Sequence, residues 1–580
     1  MADDRLPRWT WVVLLVHVIL LAYIAWAHSP VDNESEYLAA GVCHWKTGVL
    51  EPACRNPPLP RLVGALPVLA MPHVFRPEFA VRDTDWHSGM FMSQQFLEEN
   101  ADRLRTLFFA GRLACIPFSI LGAVVCYYWA RELFGAAAGA VALLLWCFSP
   151  NVLANNALVM PDGIATSLGV WTAYRFRHWL REPNWPNGLL AGVALGWTLL
   201  AKATWIGLLI LMPLVWLITR SYSGRRGGLK PFLTELAQLI VLYVTALFLI
   251  NATYGFDGTF QRLGSYKFSS VAFGGRPESE DEEGKPPPPR ELGNRFAAWH
   301  LGWVPVPLPR LYVLGIDIQR TNAERKRDNY LFGRWNTKGW WYYYFAAALV
   351  KMPLGTWGLL LGAFGAAVVS QRYRLPWREE VWLLAPALAM LLLLISQSSI
   401  SRHFRYVLPL APFLFVGISR LAQLPAVDRA AAVASLRMGL VVALVTATLV
   451  SSLAIYPHSM SYFNEAIGGP NQGHKYLLGS NIDRNQDRYY LERWQRSHPL
   501  RPEFVNIPTP GKPPKILRGS DGFLYAGWYA VSIDNLMDPK SQYYGLKDLP
   551  PVARVAYSTW IFYLEHSLQI RPDMPGDEQP

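Results

Sequence analysis

Three acidic side chains, Asp32, Glu34 and Glu36, follow an apolar run in the stretch SPVDNESEYLAAG. Arg55 precedes a Pro-Pro pair in RNPPLP, Asp162 lies in ALVMPDGIA, and Lys202 lies in LLAKATW. Arg402, His403 and Arg405 share the stretch SRHFRYVLP. Carboxylates can act as general bases toward a hydroxyl. Cations can stabilise a departing phosphate, arginine by bidentate contact. Such a set suits transfer of a group from a lipid phosphate, provided its members converge on one membrane face. Each residue also has a plainer reading. Glu34 and Glu36 could be solvated loop charges, Asp162 could favour a helix start through the dipole, and Lys202 could snorkel to the interface. Arg402 and Arg405 could be interface anchors, and the Pro-Pro pair a rigid turn.

The elements that must position these residues are membrane helices. The chain has 580 residues, of which 52% are hydrophobic and only 17% charged. A soluble protein carries about a quarter charged residues. Apolar runs fall near residues 9–28, 106–129, 134–150, 158–176, 187–201, 204–219, 231–250, 341–369, 380–397, 405–421 and 437–456. This predicts an all-α polytopic membrane protein with about eleven transmembrane helices. The first run is longer than a signal-peptide core of roughly 7–15 residues and reads as a retained helix. The 24 Trp and 27 Tyr suit interfacial belts. The net charge of +12 is explained by basic cytoplasmic loops. No basic helix or zinc pattern supports a nucleic-acid partner.

Arginines and lysines cluster in alternate short loops: Arg131; Arg175, Arg177 and Arg181; Arg220, Arg225, Arg226 and Lys230; Arg372, Arg374 and Arg378; Arg420, Arg429 and Arg437. By the positive-inside rule these loops face the cytoplasm. The N-terminus is then cytoplasmic, the C-terminus extracytoplasmic, and the candidate residues share the outer face of an inner (plasma) membrane. We expect a transmembrane catalytic domain over 1–456, with outside loops at 29–105 and 251–340. The second loop carries RPESEDEEGKPPPPRE. A periplasmic C-terminal domain over 457–580 is expected to be small and mixed α/β. In it FLYAGWYAVSI reads as a strand and DRYYLERWQRSH as a short helix.

Taken in order, the motifs resemble those of the GT-C superfamily of membrane glycosyltransferases, in the protein O-mannosyltransferase and lipid A aminoarabinose transferase branch. The resemblance rests on NESEYLAAG, RNPPLPRLVGALPVL, the segment from ARELFGAAAG to MPDGIATSL, GWTLLAKATW, YLFGRWNTKGWWYYYFAAALVKMPLG and RHFRYVLPLAPFLFV. A later stretch, HSMSYFNEAIGGPNQGHKYLLGSNIDRNQD, is similar to a tail of bacterial members. The match runs from about residue 9 to 535. It implies an inverting glycosyltransferase that moves a sugar from a polyprenyl-phosphate donor to a hydroxyl of a lipid, glycan or protein acceptor.

The resemblance implies Glu34 as base and Asp162 as the group orienting acceptor or sugar. Arg55, Lys202, Arg402 and Arg405 would hold the donor phosphate, and Tyr37, His403 and Tyr406 would contact substrate. One departure stands out. Where relatives carry Asp-Glu, this chain has Asn33 before Glu34, and an amide is no base: either Glu34 does the work, Asp32 substitutes from one residue upstream, or catalysis is impaired. Similarly, Asn56 stands before Pro-Pro-Leu where relatives often carry Lys or His.

Two other readings remain: a transporter or flippase for a lipid-linked substrate, and an inactive family member acting as a binding subunit. Transporters often show repeated halves, and this chain has no such symmetry. No Cys or His spacing suggests a metal site, so no metal ligand and no firm cofactor is assigned. Carboxylates at a phosphate site could hold a divalent ion, which leaves metal dependence open. Cys115, Cys126 and Cys147 read as small core residues. Cys43 and Cys54 could pair in an oxidising space.

Overall fold

The structure is a computed structural model that describes residues 6–76, 88–222, 228–276, 292–325, 327–397, 402–423, 431–498, 504–506 and 523–569. Most of the charged, proline-rich run of the second loop lies outside these residues, as do Arg225, Arg226 and Arg429.

Every apolar run of the sequence is helical. In chain order the helices are α1 (Arg8–Ala27), α2 (Glu34–Thr47), α3 (Leu59–Leu69), α4 (Ser88–Glu99), α5 (Leu104–Phe134), α6 (Ala136–Phe148), α7 (Pro150–Asn156), α8 (Pro161–Arg181), α9 (Trp185–Ala201), α10 (Leu208–Ser221), α11 (Leu229–Thr253) and α12 (Arg310–Glu324). They continue with α13 (Tyr343–Lys351), α14 (Leu354–Val369), α15 (Trp377–Ile395), α16 (Ala411–Ile418) and α17 (Ala431–Ala454). The molecule is a polytopic, mostly helical membrane protein. Among the described residues six helices are long and apolar enough to span a bilayer by themselves, and two bent pairs bring the number to eight. The remaining runs, in α8, α9 and α15, are either shorter or carry charge. Asp162, Arg175 and Arg177 lie in α8, Arg378, Glu379 and Glu380 open α15, and α9 has 17 residues.

The bends have local causes. Pro150 opens α7 and Pro353 precedes α14, and the residue before a proline is steered away from helical geometry. The α6–α7 pair bends by 57° and the α13–α14 pair by 117°. A broken helix frees backbone carbonyls that lipid cannot satisfy. Polar side chains do so here. Asn151 Nδ2 donates to the Lys351 carbonyl (2.7 Å), and Asn464 Nδ2 donates to those of Leu349 (2.6 Å) and Met352 (3.0 Å). The Lys351 ammonium in turn donates to the carbonyls of Met460 and Asn481.

The basic loops meet at one end of the bundle. There Arg177 bridges Glu132 and Glu379 at 2.6 Å each, Arg220 pairs with Glu235, and Arg420 pairs with Glu380. At the other end α2 and α3 lie close together. A Cβ on Gly41 would sit 2.1 Å from the Arg61 carbonyl oxygen, so only glycine permits this approach.

Beyond α17 the chain forms the expected mixed region. A hairpin precedes it in the second loop, β1 (Asn329–Leu331) and β2 (Arg334–Asn336). In the tail come α18 (Arg488–Ser497), β3 (Phe504–Asn506), β4 (Phe523–Leu524), β5 (Gly527–Ser532), α19 (Ile533–Met537), β6 (Ala553–Val555), β7 (Thr559–Leu564) and β8 (Leu568–Gln569). The main sheet has the order β3-β5-β7-β6, with β3 and β5 parallel and the other pairs antiparallel. Leu491 of α18 packs on Ala530, Val555 and Ile561 of this sheet. The predicted strand is β4 and β5 with a break between them, and the predicted helix is α18. All five cysteines are free, so Cys43 and Cys54 do not pair.

Candidate active site

Asn33 adopts a left-handed conformation, φ 65°, and turns the chain into α2. That turn sends Glu34 inward. Its side chain is 0% exposed and accepts four hydrogen bonds: two from Arg112 (2.9 and 2.6 Å) and one each from the Val159 and Val31 amides (2.9 and 3.0 Å). Burial by itself would raise the pKa of this carboxyl. The Arg112 charge and the hydrogen bonds outweigh burial and hold it below the usual range. Arg112 also donates to the carbonyls of Ala25, His28 and Ser29, so the pair fastens the end of α1 to α5.

Two residues on, Glu36 pairs with Arg55, which also donates to Asn33 Oδ1 at 3.0 Å. Burial raises the Glu36 pKa more than Arg55 and Arg61 lower it. Asn56 donates to the Tyr37 hydroxyl (2.5 Å). The Asn-Pro-Pro-Leu segment thus holds Arg55 and Asn56 over the acidic turn. Arg61, fully buried, braces this loop through the carbonyls of Leu50, Ala53 and Asn56.

Asp162 opens α8 behind Pro161, which is pre-set for a first helical turn. Its Oδ1 lies 2.6 Å from Lys202 Nζ and its Oδ2 lies 3.3 Å from Arg405 Nε. Lys202 stands at the break between α9 and the short turn that follows. The Tyr406 ring lies 5.3 Å from the Lys202 ammonium and 5.4 Å from the Arg405 guanidinium. The expected residues therefore form two neighbouring sets. Arg55, Tyr37, Asn33 and Glu36 make one, and Asp162, Lys202, Arg405 and Tyr406 the other, with Asp162 within electrostatic range of Tyr37. Glu34 faces Arg112 instead.

Arg402 and His403 line a cavity of about 680 Å³ between the helices and the tail, together with Arg327, Asp534, Asp538 and Lys540. Burial, and then Arg405, Arg402, Arg484 and Arg327 around it, push the His403 pKa well down, so its imidazole is neutral. Burial also raises the Asp534 pKa, to about 6, although its carboxylate accepts the Gly479 amide at 2.7 Å.

Asp32 is exposed, and among the described residues only its Oδ1 is engaged, by Asn485 Nδ2 at 2.5 Å. Beside it lies Arg484, buried to 2% exposure. Arg484 Nη2 donates to the Asp32 carbonyl (3.3 Å), while its Nε and Nη1 have no partner among the described residues. Burial, then the repulsion of Arg405, lower its pKa to about 10. Among the described residues neither Arg402 nor Arg484 makes an ion pair. Buried charges are ordinarily paired, and Arg484 is a buried cation without an acid partner among the described residues.

Arg112, Arg327, Arg484 and Asp534 are the members that sequence reasoning missed. Arg112 had a signal, a lone charge inside an apolar run. Arg484 lies in the tail stretch whose only signal is its similarity to a tail of bacterial members. A second cavity, of about 480 Å³, is apolar and runs between α14, α15 and α16. Phe404 and Val407, next to Arg405 and Tyr406, form part of its wall. Phe364 and Leu384, also in its lining, are exposed on the lipid-facing surface.

Comparison with known proteins adds the following. Two crystal structures of ArnT from Cupriavidus metallidurans align with this chain. The one bound to undecaprenyl phosphate has a TM-score of 0.44 at 12% identity and covers 98% of this chain and 99% of that chain. The apo one has a TM-score of 0.44 at 13% identity and covers 95% and 97%. No curated protein matches the sequence. Residues 105–250, the stretch from α5 to α11 that supplies Arg112, Asp162 and Lys202, match the family model of the dolichyl-phosphate-mannose-protein mannosyltransferases, as the resemblance of the motifs leads one to expect.

Proposed function

We propose that this protein is an inverting glycosyltransferase that moves a sugar from a polyprenyl-phosphate donor to a hydroxyl acceptor. The observation that carries the reading is the buried Arg484, which has no acid partner among the described residues, together with the partly buried Arg402 and Arg405 beside an apolar groove. A lipid phosphate needs both parts. Its phosphate would rest against Lys202, Arg405, Arg402 and Arg484, with Arg55 on the near side, and its prenyl chain would lie along Phe404 and Val407. Asp162 would keep Lys202 and Arg405 aimed at that point.

Asp32 is the best-supported proton acceptor, because it is exposed and, unlike Glu34 and Glu36, makes no ion pair among the described residues. Glu34 has spent its lone pairs on Arg112 and two amides, and it serves as a brace. In the reaction the acceptor O–H gives its proton to Asp32. The oxygen bonds to the anomeric carbon from the face opposite the phosphate. The carbon–phosphate oxygen bond breaks and its electron pair leaves on the phosphate, where the cations receive the charge. The anomeric configuration inverts. The acceptor, a lipid, glycan or protein, would enter through the cavity bounded by Arg327, Asp534 and Lys540.

The reading goes with residues 1–456 as catalytic membrane domain and 457–580 as C-terminal domain. The N-terminus would be cytoplasmic and the C-terminus periplasmic in an inner membrane. The test is transfer of radiolabelled sugar from short-chain polyprenyl-phosphate donors by purified protein. Turnover in wild type that disappears in Asp32→Asn supports the reading. Donor binding without turnover across a full donor panel would overturn it in favour of a binding subunit.

A further inference from the structure

His28 closes α1, His458 follows α17, and Asp487 precedes α18, so the three are drawn from far-separated parts of the chain. Their ligand atoms lie within 4.8 Å of one another, and His28 and Asp487 are buried. Asp487 Oδ1 is 3.4 Å from His28 Nδ1 and 3.3 Å from His458 Nδ1. These separations are long for charge-assisted hydrogen bonds, which run about 2.7–2.9 Å. They match the edge of a tetrahedron about a zinc ion, roughly 3.3–3.4 Å for bonds of about 2.0–2.1 Å.

The surroundings are those of held ligands. His28 Nε2 faces the Pro457 carbonyl at 3.0 Å, so the proton on that nitrogen leaves Nδ1 as the lone-pair donor. The second oxygen of Asp487 accepts from Gln486 Nε2 (3.0 Å) and Ser558 Oγ (2.8 Å), which fixes Oδ1 toward the two imidazoles. The Gln486 carbonyl oxygen also approaches His28 Nδ1, at 3.2 Å.

We propose that His28, His458 and Asp487 form a zinc site. Two imidazoles and a carboxylate are a donor set that suits Zn²⁺. A fourth position remains for water on the side of His458, the partly exposed member. The ion joins the end of the first membrane helix to the tail, and through Ser558 to the β6–β7 turn. Its part is structural, and it stands independently of the glycosyl-transfer reading.

The test uses the full chain in detergent, stripped with a chelator and dialysed against Zn²⁺, with metal counted by mass spectrometry. About one zinc per chain is expected, falling at least tenfold in both His458→Ala and Asp487→Asn. Zinc should raise the Tm of wild type and leave that of His458→Ala unmoved. Cobalt in wild type should give d–d absorption of tetrahedral intensity, a readout that needs no variant to fold. Metal-free wild type after loading, full stoichiometry in His458→Ala, or an octahedral cobalt spectrum would each overturn the proposal.

Discussion

Glu34 and Asp162 are both buried carboxylates facing cations, and the two regions differ in what is left over. Around Glu34 everything is spent. Arg112 and two amides use the carboxylate, and three carbonyls use the remaining guanidinium donors. Around Asp162 the balance stays open, because Lys202 and Arg405 share one acid and Arg484 stands close by with two nitrogens unmatched among the described residues. A saturated ion pair braces a fold. An unsaturated one keeps charge in reserve for something that is not part of the chain.

The sharpest way to break this contrast is Arg112→Ala. It strands the Glu34 charge and should cost about 3–5 kcal/mol of stability, seen as aggregation or a large fall in Tm on size-exclusion chromatography and thermal melting. Asp32→Asn should leave the Tm near wild type and lower sugar transfer by about 10²–10⁴-fold, measured as kcat with donor KM little changed. Next comes Arg484→Met. It should lower transfer by about 10²–10³-fold, while stability stays level or rises, because an unpaired buried charge is being removed. A fall in stability as large as that of Arg112→Ala would erase the distinction between the two regions.

The smallest effect concerns Asp534, whose pKa burial raises to about 6. The folded state binds its proton more tightly than the unfolded one. This contribution is therefore fully present below the ordinary Asp range and is lost as pH rises to about 6. Asp534→Asn should flatten that part of the stability profile between pH 4 and about 7, followed by thermal melting across pH.

Much of the architecture was legible because its causes are local. Long apolar runs have few alternatives to helix in a bilayer, and each of them is one. The bends fall at Ser149-Pro150 and Met352-Pro353, where proline chemistry acts on its neighbour. Asp162, Lys202 and Arg405 were legible because charge at membrane depth is costly without a purpose. Partnership was not legible. Nothing near Glu34 indicates that Arg112 will take it, and nothing near Asp32 indicates that Arg484 will lie beside it. Spacing rules read one turn or one loop at a time, and His28 and His458 meet only after the whole helical bundle has closed between them.

The sharp angle between α13 and α14 has one more consequence. Beside it the apolar groove reaches the protein surface at exposed Phe364 and Leu384. A ligand arriving that way comes from a two-dimensional pool. Occupancy then follows the ligand's mole fraction among the surrounding amphiphiles, so adding detergent at constant ligand dilutes it and lowers binding even when the bulk concentration is unchanged.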